Sequence, residues 1–149
     1  MRDWWAHERP EQVSKRSIFL AGPSPRRQAD FNWRPEALAY LETVAFDGDV
    51  FIPLPRNGNW LPDYDAQVEW ELTYLHLAWV IAFWVPRSKK LPGYTTNVEY
   101  GLFVGSGKVV LGYPTDAPKM RYLHYLANTH KVPVAHSLPE TLNLAIKKL

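Results

Sequence analysis

Carboxylates carry the chemistry that this chain offers. Glu99 lies in "TTNVEYG" (95–101), between a polar turn and an apolar run that leads on to "KVVLGYP" (108–114). A carboxylate held at a ligand crevice can attack an electrophilic carbon, as in glycosyl transfer. Thr96 and Glu99 also have the S/T-x-x-E spacing of a capping box, and local pattern leaves cap and nucleophile both open. Glu71 is the second acid. It sits in a helical pattern over 64–77, beside Val68 and Leu75, at the margin of an apolar stripe formed with Leu72. An acid there is either a salt-bridged helix residue or a group pointed into a site. Glu69 falls on the other side and reads as solvated.

A third region is "LAGPSPRR" (20–27). Gly22, followed by Pro23 and Ser24, ends an apolar run and would let a ligand approach the backbone closely. Arg26 and Arg27 could meet a phosphate, or could simply be exposed. Asn32, Trp33 and Arg34 follow as ligand-facing or helix-capping groups. Trp33 could stack on a base or pack in the core.

Most other chemistries lack their motif. There is no G-x-x-x-x-G-K-[ST] loop, no G-x-G-x-x-G and no G-x-S-x-G elbow. "GSGK" (105–108) lies between a helix and a strand, the reverse of a phosphate loop, and reads as a helix C-cap turn. His7, His76, His124, His130 and His136 show no ligand spacing, so no metal is expected. No cofactor is expected either. Cysteine is absent, which excludes disulfides and thiol catalysis.

These residues need a scaffold. Continuous apolar runs at 17–22, 50–55, 78–86 and 108–114, with a weaker one at 132–137, read as strands covered on both faces. Helical patterns at 34–44, 64–77, 97–104, 118–128 and 138–149 alternate with them. The first carries Ala37, Leu38 and Leu41 on one stripe. The last opens with Ser137 and Glu140 at capping-box spacing, with Pro139 in its first turn. Strand–helix alternation predicts an α/β fold: a flavodoxin-like three-layer α/β/α sandwich with a five-stranded parallel sheet. The Pro/Gly-rich stretches 53–63 and 86–94 are loops at strand C-termini, where such sheets bind ligands.

The 149 residues, 46% hydrophobic, suit one domain over 17–149 behind a polar N-terminal tail, 1–16. Trp4 and Trp5 in that tail either pack it onto the domain or meet a second subunit. A net charge of +2 gives no broad basic footprint, so nucleic acid is not expected as a partner. No apolar run is long enough to span a membrane, and the N-terminus lacks a signal peptide's apolar core. A cytoplasmic location is the simplest expectation.

Together, "IFLAGP", "VEWE", "VIAFWVPR" and "PGYTTNVEYG" ahead of "KVVLGYP" resemble the nucleoside 2-deoxyribosyltransferase family, in its nucleoside 2-deoxyribosyltransferase-like branch. The likeness runs from about Ser17 to Pro114, and its most specific piece is the Glu of "NVEYG". The resemblance implies a flavodoxin-like sheet and cleavage of the N-glycosidic bond between a base and 2-deoxyribose. It assigns Glu99 as the nucleophile and Glu71, in place of the family's usual Asp, as the carboxylate that positions the sugar or nucleophile or handles protons. Phe19, Gly22, Pro23, Ser24, Trp33 and Asn97 are the expected substrate-binding residues. A homo-oligomer is implied, with neighbouring subunits completing the site. Three positions depart from the family's pattern. Gly93 stands where the transferases carry a further acid, Trp79 where they carry Asp, and Phe19 where some carry Tyr. All three bear on recognition and protonation of the base. The reading is therefore a Glu-nucleophile N-glycoside transferase or hydrolase acting on a nucleoside or nucleotide, with or without an acceptor base. A 5′-monophosphate N-glycosidase and a non-catalytic nucleotide-binding module are the alternatives.

Overall fold

The computed structural model describes residues 1–25, 30–60 and 63–149. Six strands form one parallel sheet: β1 (Arg2–Trp5), β2 (Ser17–Ala21), β3 (Asp49–Ile52), β4 (Val80–Trp84), β5 (Val109–Gly112) and β6 (Val134–Ala135). Their order is β1-β3-β2-β4-β5-β6. Five helices connect them: α1 (Arg34–Thr43), α2 (Tyr64–Leu77), α3 (Tyr94–Phe103), α4 (Arg121–Thr129) and α5 (Leu138–Lys148). The apolar runs are continuous because both sheet faces are buried. Ile18 and Leu20 pack with Val50, Val80 and Ala82 under Ala37 and Leu41 of α1 and Leu142 and Ala145 of α5. Phe19 and Phe83 point the other way, into a core with Trp70 and Tyr74 of α2, Tyr100 of α3 and Leu123 of α4. The result is the expected three-layer sandwich.

The sheet has six strands rather than five. The extra one comes from the N-terminal tail, which is part of the domain. β1 pairs in parallel with β3, from Arg2 against Asp49 to Trp5 against Ile52. Asp49 is fully buried and anchors the tail. Its carboxylate accepts from Arg2 Nε at 2.8 Å, Trp4 Nε1 at 3.1 Å and the Ser14 amide at 2.7 Å. Trp4 and Trp5 are both half-buried against the domain.

Two local expectations shift. α3 starts at Tyr94, after Gly93 in the left-handed region at φ 66°, and has no side-chain cap from any described residue. Thr96 is therefore inside the helix, and the Thr96–Glu99 capping box is not formed. On α2 the buried residues are Gln67, Trp70, Tyr74 and Leu75, while Leu72 is exposed. Glu71 thus lies within the inward face rather than at its margin. The Ser137 cap forms: its Oγ accepts from the Glu140 amide and donates to the Glu140 carboxylate at 2.9 Å. "GSGK" is a 3-10 turn over Val104–Ser106 with Gly107 left-handed at φ 79°. Its Lys108 has a further role, since Nζ donates to the carbonyls of Leu75, His76 and Ala78 at 2.6, 2.7 and 3.0 Å, capping the C-terminus of α2.

Candidate active site

The order of the strands reverses between β2 and β4, and the crevice outside the carboxyl ends of these strands is where open α/β sheets take ligands. Four segments converge there: the end of β2 with Gly22–Pro25, the N-terminal half of α2, the loop after β4, and the start of α3. They enclose a cavity of about 450 Å³ lined by Pro23, Ser24, Trp60, Tyr64, Gln67, Leu91–Thr95 and Pro25. The cavity is mainly apolar and aromatic, as small-molecule sites are.

Glu71 and Glu99 meet beside it, although they come from different helices. The two carboxyls hydrogen-bond to each other, Glu99 donating and Glu71 accepting. Burial, then the neighbouring Glu71 charge, push the Glu99 carboxyl up to about 8; the Arg34 charge opposes this. Burial likewise raises Glu71, held back by the Gln67 amide, by Arg34, by the Glu99 hydroxyl and by His7. Two carboxyls in hydrogen-bond contact share one proton, so near neutral pH the pair carries a single negative charge.

Arg34 balances that charge. Its side chain is completely buried, and desolvation lowers its pKa to about 10 against the pull of Glu99 and Glu71. Nε donates to the Leu20 carbonyl at 3.2 Å, Nη1 to Pro23 at 3.3 Å and Nη2 to Gly22 at 2.9 Å. The guanidinium also lies over the Trp33 ring, 4.6 Å from its centroid. A rigid cation is thereby tied to the end of β2, near enough to both acids for its charge to act on them. Gln67, one turn before Glu71 on α2, donates from Nε2 to Glu71 Oε1 at 2.7 Å and fixes that carboxylate's orientation.

The expected binding residues divide. Pro23 and Ser24 line the cavity. Gly22 contributes backbone: its φ is 144°, and a Cβ there would stand 2.0 Å from the Trp84 carbonyl oxygen. Phe19 is core, 6.2 Å from the Trp70 ring, and does not line the cavity. Trp33 is buried with its indole N–H donated to the Pro23 carbonyl at 3.2 Å, so its ring supports Arg34 rather than offering a face to a base. Asn97 is exposed on α3, where its side-chain oxygen accepts from Arg87 Nη2. Arg26 and Arg27 lie outside the described residues. Gly93, where a further acid was of interest, is closed to one: a Cβ would meet Pro23 Cγ at 2.8 Å, on a backbone already left-handed. Trp79 is exposed before β4.

Sequence reasoning missed Gln67 and gave Arg34 no specific role. Neither has a local signal, because their partners come from distant segments of the chain. The aromatic wall of Trp60, Tyr64 and Tyr94 was also missed; all three are exposed apolar groups next to Pro/Gly-rich loops, a signal that could have found them. Among the described residues no group of three or more His, Asp or Glu is arranged to hold a metal, and no helix is long and apolar enough to cross a membrane.

Comparison with protein families matches residues 15–117 to the family described as nucleoside 2-deoxyribosyltransferase like. Comparison with curated proteins finds no match.

Proposed function

The chain belongs to the nucleoside 2-deoxyribosyltransferase-like family, and from that premise we propose that it cleaves the N-glycosidic bond of a nucleoside with Glu99 as nucleophile and Glu71 as its proton partner. The single observation that carries this reading is the Glu71–Glu99 carboxyl pair, sharing a proton near a buried arginine and joined to the cavity wall through Gln67.

The steps balance on these residues. The shared proton moves from Glu99 to Glu71 as substrate enters, leaving Glu99 anionic. Glu99 then attacks C1′ while the C1′–N bond breaks through an oxocarbenium-like transition state. The departing base nitrogen keeps the electron pair and takes the proton, directly or relayed, from Glu71. A glycosyl ester on Glu99 remains. A second base, or water, attacks C1′, gives its proton to Glu71, and releases the Glu99 carboxylate. Arg34 keeps the net charge of the pair near −1 throughout, which limits reorganisation.

A second reading, a 5′-monophosphate N-glycosidase, draws support from α3. Its N-terminus carries no side-chain cap from the described residues, and Gly93, Tyr94 and Thr95 line the cavity, so its first amides favour an anionic substituent. A homo-oligomer, which the family resemblance implied, draws support from Tyr94, Val98 and Leu102, exposed at four-residue spacing on the helix that bears Glu99.

The test is incubation with mixed deoxynucleosides, ribonucleosides and their monophosphates, with and without acceptor base, read by mass spectrometry. Base release or exchange is expected, and should fall at least 10³-fold in Glu99→Ala and Glu99→Gln. Turnover that survives both changes removes Glu99 as nucleophile. Ligand-dependent thermal stabilisation without any turnover would instead favour a binding module.

A further inference from the structure

Gln67 is only 5% exposed, yet it forms part of the cavity wall. Its amide is used on one side only. Nε2 donates to Glu71, which requires the carbonyl oxygen to face elsewhere. That oxygen, Oε1, is buried and has no hydrogen-bond partner among the described residues. A buried acceptor without a donor is rare and costly. Flipping the amide to use Oε1 would aim an acceptor at the Glu71 carboxylate, so the orientation is set by the acid and not by the cavity. The cavity is also lined by the aromatic side chains of Trp60, Tyr64 and Tyr94 together with Pro23, Leu91 and Pro92. These side chains give a flat ring apolar faces to pack on, next to the residue that holds Glu71.

We propose that Gln67 is the specificity-determining residue of this site: its Oε1 accepts a hydrogen bond from an N–H donor on the ligand's base, such as an exocyclic amine, while its Nε2 holds Glu71. The proposal rests on the N-glycoside reading for its substrate class. A base that carries the donor satisfies the orphaned oxygen, and a base that lacks it leaves the oxygen buried and unpaired, which is how a polar site rejects an isostere. Because the same amide orients Glu71, the correct base also fixes the carboxylate that handles its proton. Gln67 is in this second respect a positioning residue, acting through Glu71.

The experiment uses the full chain and two pairs of ligands that differ by one amino group. The nucleosides are deoxyadenosine and purine 2′-deoxyriboside, compared by kcat/KM. The free bases are adenine and purine, compared by calorimetric Kd. The wild type is expected to favour the amino-bearing member of each pair by about 10-fold or more. Gln67→Met, which keeps length and apolar bulk but has no acceptor, is expected to bring both ratios to within about twofold of unity. Gln67→Glu keeps an acceptor but loses the donor to Glu71; it should retain the Kd ratio while shifting the pH profile of kcat. A wild type that does not discriminate, or a folded Gln67→Met variant that keeps the wild-type ratio, overturns the proposal. Absence of turnover in the wild type counts against the N-glycoside reading alone, because the base affinities still test Gln67. A wild type that binds neither base overturns the Gln67 proposal as well.

Discussion

The carboxyl of Glu99 donates a hydrogen bond to the carboxylate of Glu71, and the two acids hold one proton between them beside the buried guanidinium of Arg34. Each acid comes from a different helix; burial raises both, Glu71 raises Glu99 further, and the hydrogen bond from Glu99 holds Glu71 back. This relationship makes the site sensitive to pH in both stability and rate.

Glu99 is raised from 4.5 to about 8 in the folded chain, mainly by burial and then by Glu71. Between these values the native state binds more protons than the unfolded chain. Its contribution is therefore fully present below about pH 4.5 and is lost as pH rises through about 8. Glu99→Gln, which cannot ionise, removes this dependence. Thermal unfolding from pH 5 to 8.5 should accordingly show the variant gaining on the wild type, by an amount on the order of a few kcal/mol across the window. Parallel curves for the two proteins would refute the coupled pair. In Glu71→Gln the like charge is gone, so Glu99 should titrate at lower pH, and the acid limb of any kcat/KM profile should move the same way.

Arg34 donates to three carbonyls, and its positive charge acts on both acids of the pair. Arg34→Met leaves those carbonyls short of donors and the acids uncompensated, and should destabilise the chain by about 3–5 kcal/mol in urea. Arg34→Lys restores the charge without the planar three-point reach and should recover only part of that loss. Equal stability of the lysine variant and the wild type would mean that charge alone matters.

An acid cannot be installed at Gly93 without strain. The backbone is left-handed, and a Cβ would stand 2.8 Å from Pro23 Cγ. Gly93→Asp should cost about 1–3 kcal/mol and lower activity rather than raise it. A variant of wild-type stability and higher turnover would show that the loop relaxes to accept the side chain.

Lys108 ends α2 by donating to the carbonyls of Leu75, His76 and Ala78. Lys108→Met keeps the stem and removes all three donors. A loss of about 1–3 kcal/mol is expected from denaturant unfolding, with KM for any substrate little changed, since α2 is held at the end away from the cavity. A large KM effect with unchanged stability would contradict this division of labour.

The fold class was legible because strands buried on both faces read as continuous apolar runs, and because helices alternate with them. β1 was not legible. "RDWW" is short and half charged, and its reason for pairing is Asp49, which only the folded chain brings near. The phase of α2 was misread from aliphatic residues alone: Leu72 faces solvent, while Trp70, Tyr74 and Gln67 fill the inner face. Within the site, the place of Glu99 after the loop that follows a strand pointed to the crevice, whereas Glu71 was reached from its place beside a helical stripe and from the family resemblance. Their coupling was beyond reach. It depends on Arg34 and Gln67, whose roles exist only through contacts between distant segments. Trp33 and Phe19 looked available for ligand because an aromatic residue reads the same in a pocket as beneath one.

The pairing of β1 with β3 makes an edge strand a support of the site. β1 lies at the edge of the sheet and, among the described strands, pairs with β3 alone, so it can detach without breaking any other pair. Trp70 of α2 in turn donates its indole N–H to the Glu8 carbonyl at 2.8 Å. The helix that carries Glu71 thus has one of its tethers in the segment that follows β1. Fraying of that edge would therefore free Trp70 from Glu8 and loosen α2, so that the carboxyl pair slackens without any change at the acids themselves.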